Sequence, residues 1–450
     1  MKQIIIVAIF FLLAPGAAWA ETEFSLGGFI KLYSFWDSSQ SMNHMNSPIQ
    51  RNNHPTFHHG RTVFTSQESR FSFTVKGPKL WGAITTAFLE MDFDSPTSYN
   101  SLATPSNSFI PQLRHAMFRF NWPETELLIG QYWSMFSEWF PEVAENGPFQ
   151  GTGTFISRPG QIRLTQNILS GWTVAALIGG PSPACLPTST TNPYGMGGNG
   201  QSAESPQVQA KIRYQRDLWG KAAFFGRPTP FTAQVVAGWQ RNVIRSQSLA
   251  LQTLGQNAFV NFVGSVKHEY LNPWLVMGVV FIPVIPTHTF NMAGTASVQT
   301  QWWIGHGPEA FGAAGIVSNI YRFNNNMLGN NSFDVELQKR WGGYVQAQYY
   351  FTNQWFLSGA YGLSKAFGIS QERNGFAPGN RVIAFSADQQ KMWQQMDVIL
   401  WYRPIMSIKF GLEYSFGQTD WLQKLGNSAG QNRSDFGTQH RVQFVGFFFF

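Results

Sequence analysis

The chain has 450 residues, of which 43% are hydrophobic, 16% aromatic and only 12% charged, and its formal net charge is +7. The charged fraction is about half of that in typical soluble domains, yet the mean hydropathy is only −0.16. The apolar and aromatic content excludes an intrinsically disordered chain. A helical membrane protein is also excluded, because it would show repeated apolar runs of about 18 residues and a clearly positive hydropathy.

The first twenty residues have the pattern of a secretory signal peptide. A lysine at position 2 precedes the apolar core 4–13, and Ala18 and Ala20 give the small-x-small cleavage pattern. The apolar core is too short to span a bilayer. We therefore predict that residues 1–20 are cleaved and that residues 21–450 form a single exported domain.

Apolar and polar residues alternate along most of the remaining chain. In residues 406–416, Met, Ile, Phe, Leu, Tyr and Phe share one face, while Ser, Lys, Gly, Glu and Ser share the other. A period of two indicates strands with one apolar and one polar face, in a transmembrane barrel or a soluble sandwich. We predict sixteen strands, at 24–36, 67–77, 82–94, 111–121, 124–133, 160–168, 171–179, 206–216, 230–241, 257–268, 274–283, 340–351, 355–366, 391–403, 405–417 and 438–450.

The lengths of the connections distinguish the barrel from the sandwich. Even-numbered connections are short, except for the one around residues 217–229, and odd-numbered connections are long and rich in Asn, Ser, Gly and Pro. This alternation is typical of outer-membrane barrels, in which strands must close so that every backbone group in lipid is paired. We predict an all-β fold, a transmembrane antiparallel β-barrel with sixteen strands, or two more if residues 284–339 contain them. The predicted long extracellular loops lie near 37–66, 95–110, 134–159, 180–205, 242–256, 284–339, 367–390 and 418–437.

The chain ends in an alternating run in which Phe444, Phe448 and Phe450 share one face. This run resembles the C-terminal signal of bacterial outer-membrane barrels. The resemblance implies an outer-membrane location in a Gram-negative bacterium, contact with lipid, and assembly by periplasmic chaperones and the barrel-assembly machinery. Aromatic residues near predicted strand ends, such as Trp36 and Trp133, are predicted to form girdles at the membrane interfaces.

Several segments resemble the trimeric porins of Gram-negative bacteria, most closely those of the DcaP-like group. They are Ser69-Arg-Phe-Ser-Phe73, Glu90-Met-Asp-Phe93, Leu113-Arg-His-Ala116 and Leu128-Ile-Gly-Gln-Tyr-Trp133. The resemblance covers most of the chain and is strongest over residues 24–170. It implies a homotrimer, a loop after the fifth strand that folds into the lumen, and passive diffusion of small polar solutes and ions. No nucleic-acid partner is expected.

A sixteen-stranded barrel has a water-filled lumen, so we expect its polar faces to line a pore. The loop after the fifth strand carries three carboxylates that we predict to form the pore constriction, Glu138, Glu142 and Glu145. Alternation directs basic residues inward, predicted as the basic pore wall: Lys31, Arg70, Arg114, Arg163, Lys211, Arg213, Lys409 and Arg441. It also directs four acidic residues inward, predicted as the acidic pore wall: Glu90, Asp92, Asp397 and Glu413. These charges nearly balance, which predicts at most a weak anion preference.

Other functions stay open at this point. A substrate-specific channel would use the predicted loop 284–339, with Trp302, Trp303 and His306, to select ligands at the mouth. The chain could also be the barrel sheath of a porin–cytochrome electron conduit, although it contains no haem motif itself. We predict no enzyme activity, because the histidines of the first long loop accompany no nucleophile motif. Cys185 is the only cysteine, and the sequence predicts no disulfide, cofactor or metal.

Overall fold

The computed structural model describes residues 22–39, 48–94, 111–145, 147–182, 203, 205–244, 247–254, 259–266, 269–313, 319–324, 332–367, 381–385, 390–426 and 433–450. Sixteen strands form one antiparallel sheet that closes into a barrel, which confirms the predicted fold class. In chain order they are β1 Glu23–Asp37, β2 Arg61–Thr65 with Arg70–Leu80, β3 Ala83–Asp92, β4 Gln112–Asn121, β5 Thr125–Gln131, β6 Gly160–Leu169, β7 Trp172–Gly179, β8 Gln207–Arg216, β9 Phe231–Trp239, β10 Trp274–Ile285, β11 Ala296–His306, β12 Lys339–Tyr350, β13 Trp355–Phe367, β14 Gln390–Ile405, β15 Ile408–Gly426 and β16 Arg433–Phe449.

The barrel closes between its first and last strands. β1 and β16 pair from Phe29↔Phe449 to Asp37↔Arg441. Phe450 extends this seam, because its carbonyl oxygen accepts a hydrogen bond from the N–H of Gly28 at 3.1 Å. The close approach requires glycine at position 28, since a Cβ atom there would lie 2.2 Å from the carbonyl oxygen of Arg70.

Short and long connections lie at opposite ends of the barrel. One end, here called the turn end, has the short connections 81–82, 122–124, 170–171, 351–354 and 406–407, together with the longer connections 217–230 and 286–295. The other end, here called the loop end, has the connections that follow the odd-numbered strands, and most of these are long. This sorting by length is the feature that favoured a barrel over a sandwich in the sequence. The predicted long loop 418–437 was wrong, because β15 and β16 run through most of it and only residues 427–432 separate them.

The barrel strands have an apolar outer face and a largely polar inner face. On β15, Phe410, Leu412 and Tyr414 are 39%, 59% and 41% exposed, whereas Lys409 and Glu413, which alternate with them, are buried. The pleat sends successive side chains to opposite faces, so one strand faces both lipid and lumen. No helix among the described residues is long and apolar enough to cross a membrane.

The strand prediction was wrong in one region, between β9 and β12. The segment predicted as the tenth strand, 257–268, contains Phe259–Val266, which belongs to a separate five-stranded sheet built from the loop-end connections. The barrel instead uses Ala296–His306, which lies inside the predicted loop 284–339 and pairs with both β10 and β12. Apolar and polar residues alternate in both segments, so alternation alone cannot show which of them belongs to the barrel. One wrongly predicted strand and one missed strand left the predicted number of strands at sixteen.

The corrected strand assignment also changes the end of the barrel at which two connections lie. Residues 286–295, predicted as part of an extracellular loop, lie at the turn end between β10 and β11. The predicted turn at 271–273 is the last part of a loop-end connection, 240–273, that precedes β10. The region 284–339 therefore contributes one barrel strand rather than none or two, because Asn319–Asn324 and Ser332–Leu337 join the five-stranded sheet.

Several sequence predictions lie outside the described residues. They are the signal peptide with Ala18 and Ala20, the loop thiol Cys185, and most of the predicted loops 95–110 and 180–205. The C-terminal run is described: Phe444, Phe448 and Phe450 are 40%, 51% and 43% exposed on the outer face. Their role in barrel assembly stays a prediction.

The barrel lumen and its inserted loop

The connection between β5 and β6 folds into the barrel. Its described residues, 132–145 and 147–159, are called the inserted loop here. Met135, Phe136, Trp139 and Phe155 of this loop are at most 7% exposed. They pack against apolar side chains that point inward from β7, β9 and β10. Burying each such side chain contributes about 1.5–3 kcal/mol, which holds the loop inside rather than over the mouth.

Each of the three loop carboxylates forms an ion pair with a basic residue of the barrel wall. A Glu138 carboxylate oxygen lies 2.6 Å from Nζ of Lys211 on β8. The Glu142 carboxylate lies 2.5 Å from Nζ of Lys409 on β15, and that of Glu145 lies 3.1 Å from the Arg441 guanidinium on β16. Lys211 and the other two partners lie on opposite sides of the sixteen-stranded barrel, so the loop crosses the lumen from β8 to β15 and β16.

The backbone at the tip of the loop is also fixed to the wall. The N–H of Ala144 donates to Oε2 of Glu413 at 2.8 Å, and its carbonyl oxygen accepts from Nζ of Lys31 at 2.8 Å. Nζ of Lys31 also contacts Glu68, which lies in the bulge between the two segments of β2. The indole N–H of Trp401 donates to the carbonyl oxygen of Glu142 at 3.3 Å. Backbone and side chains together form a latch between the loop tip and β14–β16 and β1.

The latch changes the expected arrangement of charges. The sequence predicted an acidic loop that faces a basic wall across water, but Glu142, Lys409 and Arg441 are 3%, 8% and 3% exposed. Lys31, Asp397 and Glu413 are likewise inside the barrel and buried beneath the loop. The reason is that alternation determines which residues point inward, whereas the path of the loop determines which of them meet water.

The remaining open part of the lumen borders β2 to β6. Inward side chains on this wall, including Arg70, Glu90 and Glu126, keep part of their surface exposed. Arg114 on β4 is buried and pairs with two carboxylates of β3, Glu90 at 2.8 Å and Asp92 at 2.5 Å. Four predicted wall residues, Arg70, Arg114, Glu90 and Asp92, therefore lie together on one side of the barrel.

Aromatic side chains of the inserted loop cover several guanidinium groups on this open side. The ring of Trp133 lies 5.7 Å from the Arg114 guanidinium and 5.1 Å from that of Arg158. The ring of Tyr132 lies 5.7 Å from Arg119 and 5.6 Å from Arg163. Trp133 is therefore inside the barrel, and its predicted place in an interface girdle was wrong. Such contacts contribute about 0.5–2 kcal/mol each.

Two residues that matter here had no signal in the strand pattern. Arg158 lies at the end of the inserted loop, where no alternation exists to place it. Glu68 lies in a bulge, where the period of two is interrupted. Arg119 was detectable, because it occupies an inward position of β4, but it was not included among the predicted wall residues.

A cavity of about 460 Å³ opens at the turn end of the lumen. Its wall includes Arg163, Lys211 and Arg213 from β6 and β8, together with Glu138 of the inserted loop. Burial alone would raise the pKa of the Glu138 carboxyl, but Lys211 and Arg163 outweigh it and hold this pKa below its ordinary value. Glu124 and Glu126 also line the cavity, so its three basic and three acidic side chains balance, although among the described residues Arg213 has no carboxylate within ion-pair distance.

A second segment fills the lumen beside the inserted loop. Residues 307–313 follow β11 and turn into the barrel, where Phe311 is buried against Phe136, with ring centroids 5.3 Å apart. The carbonyl oxygen of Gly312 accepts from the N–H of Ile156 at 2.9 Å. The part of the lumen that faces β9 to β12 is therefore filled, and the open part faces β2 to β6 and extends to β8 at the turn end.

Comparisons with solved structures relate this geometry to known barrels. The chain is similar to the outer membrane channel DcaP of Acinetobacter baumannii, with 15% identity and a TM-score of 0.65 over 97% of this chain and 100% of that one. It is similar to an anion-selective porin from Comamonas acidovorans, with 10% identity and a TM-score of 0.50 over 96% and 100% of the two chains. It is also similar to the trimer form of OmpT, an outer membrane protein of Vibrio cholerae, with 8% identity and a TM-score of 0.50 over 95% and 99%.

No family model matches the chain, and the comparison with curated proteins finds no match. At these identities the structural similarity establishes the fold. The protein has the fold of a sixteen-stranded outer-membrane porin. Of these three solved structures, the DcaP channel has the highest TM-score.

Proposed function

We propose that this protein is a porin of the Gram-negative outer membrane through which small polar solutes and ions diffuse passively. The observation that carries the proposal is the contrast between the two faces of a closed barrel. Its outer face exposes apolar side chains on alternate residues, and its inner face is polar and only partly covered by inserted segments. The loop end, with its long connections, then faces the outside of the cell, and the turn end faces the periplasm.

The permeation path in this proposal lies to one side of the barrel axis. It follows β2 to β6 past the partly exposed Arg70 and Glu90, and leaves through the charged cavity at the turn end. Two of the three loop carboxylates are neutralised in buried ion pairs, whereas Arg158 and Arg213 have no carboxylate partner among the described residues. Glu90, Glu124 and Glu126 also keep exposed surface on this path, so the charges nearly balance, and the expected anion preference is at most weak.

We also propose that the protein is an exported homotrimer. The similar OmpT structure is a trimer form, which supports a trimer for this fold. The outer face of β1 and β2 exposes large apolar side chains, including Phe24 at 72% and Phe64 at 71%. Export by cleavage after Ala20 and insertion by the barrel-assembly machinery complete the proposal.

Single-channel recording in planar bilayers tests the function. The purified protein alone should produce stable conductance steps, and a salt gradient should give a reversal potential on the anion side. Liposome swelling with neutral sugars of graded size should show uptake that falls as the solute grows. A folded protein that produces no steps and no swelling would contradict the proposal, and strong cation selectivity would contradict the assignment of the path.

Two alternatives from the sequence are less well supported. A sheath for a folded cytochrome needs an open lumen, but the inserted loop and residues 307–313 fill much of this one. A ligand-selecting mouth loop with Trp302 and Trp303 is also not supported, because both belong to β11. Trp303 is 4% exposed and packs inside against Phe155, with ring centroids 5.0 Å apart.

A further inference from the structure

One connection at the turn end is too long for a simple turn. Within residues 217–230, Ala222–Phe224 and Arg227–Thr229 pair as a short antiparallel hairpin, here called the turn-end hairpin. Its two central residues, Phe225 and Gly226, have φ values of 49° and 73°. Two positive φ values define the tight turn that usually contains Asn-Gly, so phenylalanine at the first position is strained by about 1–2 kcal/mol.

The hairpin folds up into the barrel instead of projecting away from it. Ala222 and Ala223 are 0% and 1% exposed. The carbonyl oxygen of Ala223 accepts a hydrogen bond from Oγ of Ser297 on β11 at 3.2 Å. At the tip, a Cβ atom on Gly226 would lie 3.0 Å from Nη1 of Arg403 on β14. The hairpin therefore spans the turn-end opening from β8 and β9 to β14.

The base of the hairpin is braced by the other long connection at this end. The N–H of Lys221 donates to the carbonyl oxygen of Thr287 at 2.8 Å, and the N–H of Thr287 donates back to Lys221 at 2.7 Å. The indole N–H of Trp219 donates to the carbonyl oxygen of Pro283 at 2.7 Å. These hydrogen bonds and the buried alanines indicate that the hairpin has a fixed position in the barrel. Its surroundings hold the strained residues at its tip in place.

The hairpin and the inserted loop meet inside the lumen. The ring of Phe224 packs on Trp139 of the inserted loop, with centroids 4.7 Å apart, and on Phe281 of β10 at 5.9 Å. Phe224 also forms part of the wall of the 460 Å³ cavity, together with Arg163 and Arg213. One side of this ring therefore supports the loop, and the other side limits the open space at the exit.

We propose that the turn-end hairpin is a second constriction element of the pore and that Phe224 determines the width of the exit. The inserted loop narrows the path at mid-height, and the hairpin continues the same partition to the turn end, so that solutes pass only between the hairpin and the β4–β8 wall. This inference rests on the proposed porin function. It adds a selectivity element that lies on the side opposite to the loop end.

A shortened connection provides the first test. Residues 218–229 are replaced by a two-residue turn, and single-channel conductance is compared with that of the wild-type protein and of Phe351→Ala, a turn-end change on the outer surface. We expect a conductance increase of roughly 1.5-fold or more for the shortened chain, because conductance follows the open cross-section of the pore, and no change for Phe351→Ala. Liposomes should also admit larger neutral sugars. Unchanged conductance and an unchanged size limit would overturn the inference.

A labelling experiment decides the question if the shortened chain fails to fold. Phe224→Cys is introduced with Cys185→Ser, and a charged thiol reagent is added from either side of the bilayer. We expect the current to fall after labelling, faster from the turn end, whereas the matched Phe351→Cys variant should keep its current. No current change with labelled Phe224→Cys would contradict the inference. Absence of conductance in the wild-type protein would instead contradict the proposed porin function.

Discussion

Glu142→Gln is the change that tests the latch of the inserted loop most directly. The Glu142 carboxylate lies 2.5 Å from Nζ of Lys409 and accepts from Nε2 of Gln348 at 2.9 Å. Glutamine keeps the size of the side chain but removes the charge that neutralises a lysine only 8% exposed. Removing one partner of a buried ion pair typically costs about 3–5 kcal/mol, because the remaining charge is left unpaired. The Lys409 ammonium then keeps its contacts with two aromatic rings, 3.6 Å from the centroid of Trp401 and 5.4 Å from that of Phe356, but loses its carboxylate.

This cost should appear as release of the loop tip. A penalty of about 3–5 kcal/mol shifts the ratio of released to latched loop by roughly two to four powers of ten. Single-channel recording of Glu142→Gln should therefore show frequent brief closures that the wild-type channel lacks, and the heat-denaturation midpoint in detergent should fall. The double variant Glu142→Gln/Lys409→Met should recover quiet currents, since methionine removes the unpaired charge and keeps the contact with Trp401.

Glu23→Gln is the matched control. Glu23 also pairs with a lysine, Lys76, at 2.9 Å, but the two side chains are 65% and 55% exposed at the turn end. Exposed pairs contribute about 0–1 kcal/mol, so this variant should behave like the wild-type protein. Equal current noise and equal denaturation midpoints for Glu142→Gln and Glu23→Gln would refute the latch.

Three further changes test other parts of the structure. Arg158→Gln with Arg213→Gln should move the reversal potential in a salt gradient toward cations without a large change in conductance, and an unchanged potential would mean that these charges lie off the path. The ion pairs of Glu138 hold its pKa below the ordinary carboxyl value, so they stabilise the loop at pH values above that ordinary pKa. This stabilisation is lost as the pH falls through the lowered pKa. Glu138→Gln should therefore lower the denaturation midpoint at pH 7 and have little effect on it in strong acid. Gly28→Val should weaken barrel closure and lower that midpoint, because its Cβ would meet the backbone of β2, whereas Gly278→Ala, which has open space around it, should have little effect.

The fold could be predicted from the sequence because its main determinants are local. Alternation identifies strands with two faces, and the turn or loop after each strand gives its direction. The error between β9 and β12 shows the limit of this information. Apolar and polar residues alternate in both Phe259–Val266 and Ala296–His306. Which of them joins the barrel depends on pairing with distant strands, and the alternation contains no information on that pairing. The barrel selects Ala296–His306 because it pairs along its whole length with both β10 and β12.

The candidate site was predictable only as a list of inward residues. Alternation places Lys409 and Arg441 on the inner face of their strands, but it could not predict their contact with the loop, because a loop has no periodicity that fixes its path. The same reason explains why Trp133 was assigned to a girdle and why Arg158 was missed. Tertiary contacts made by an irregular segment decide which wall residues meet water.

The types of polar residue on each wall nevertheless follow the path of the loop. The covered side uses amides: Gln301 Nε2 donates to the carbonyl oxygen of Gly153 at 3.1 Å, and the Gln346 side chain accepts from the N–H of Glu142. An amide can both donate to and accept from a buried backbone, and it avoids the cost of burying a charge without a partner. Arginines instead concentrate on β2, β4, β6 and β8, beside the open space. Inward glutamines thus mark the part of β11 and β12 that the inserted loop covers, and the arginines of β2, β4, β6 and β8 lie on the open side. Arg441 is buried in the latch instead, where Asp37 and Glu145 pair with it.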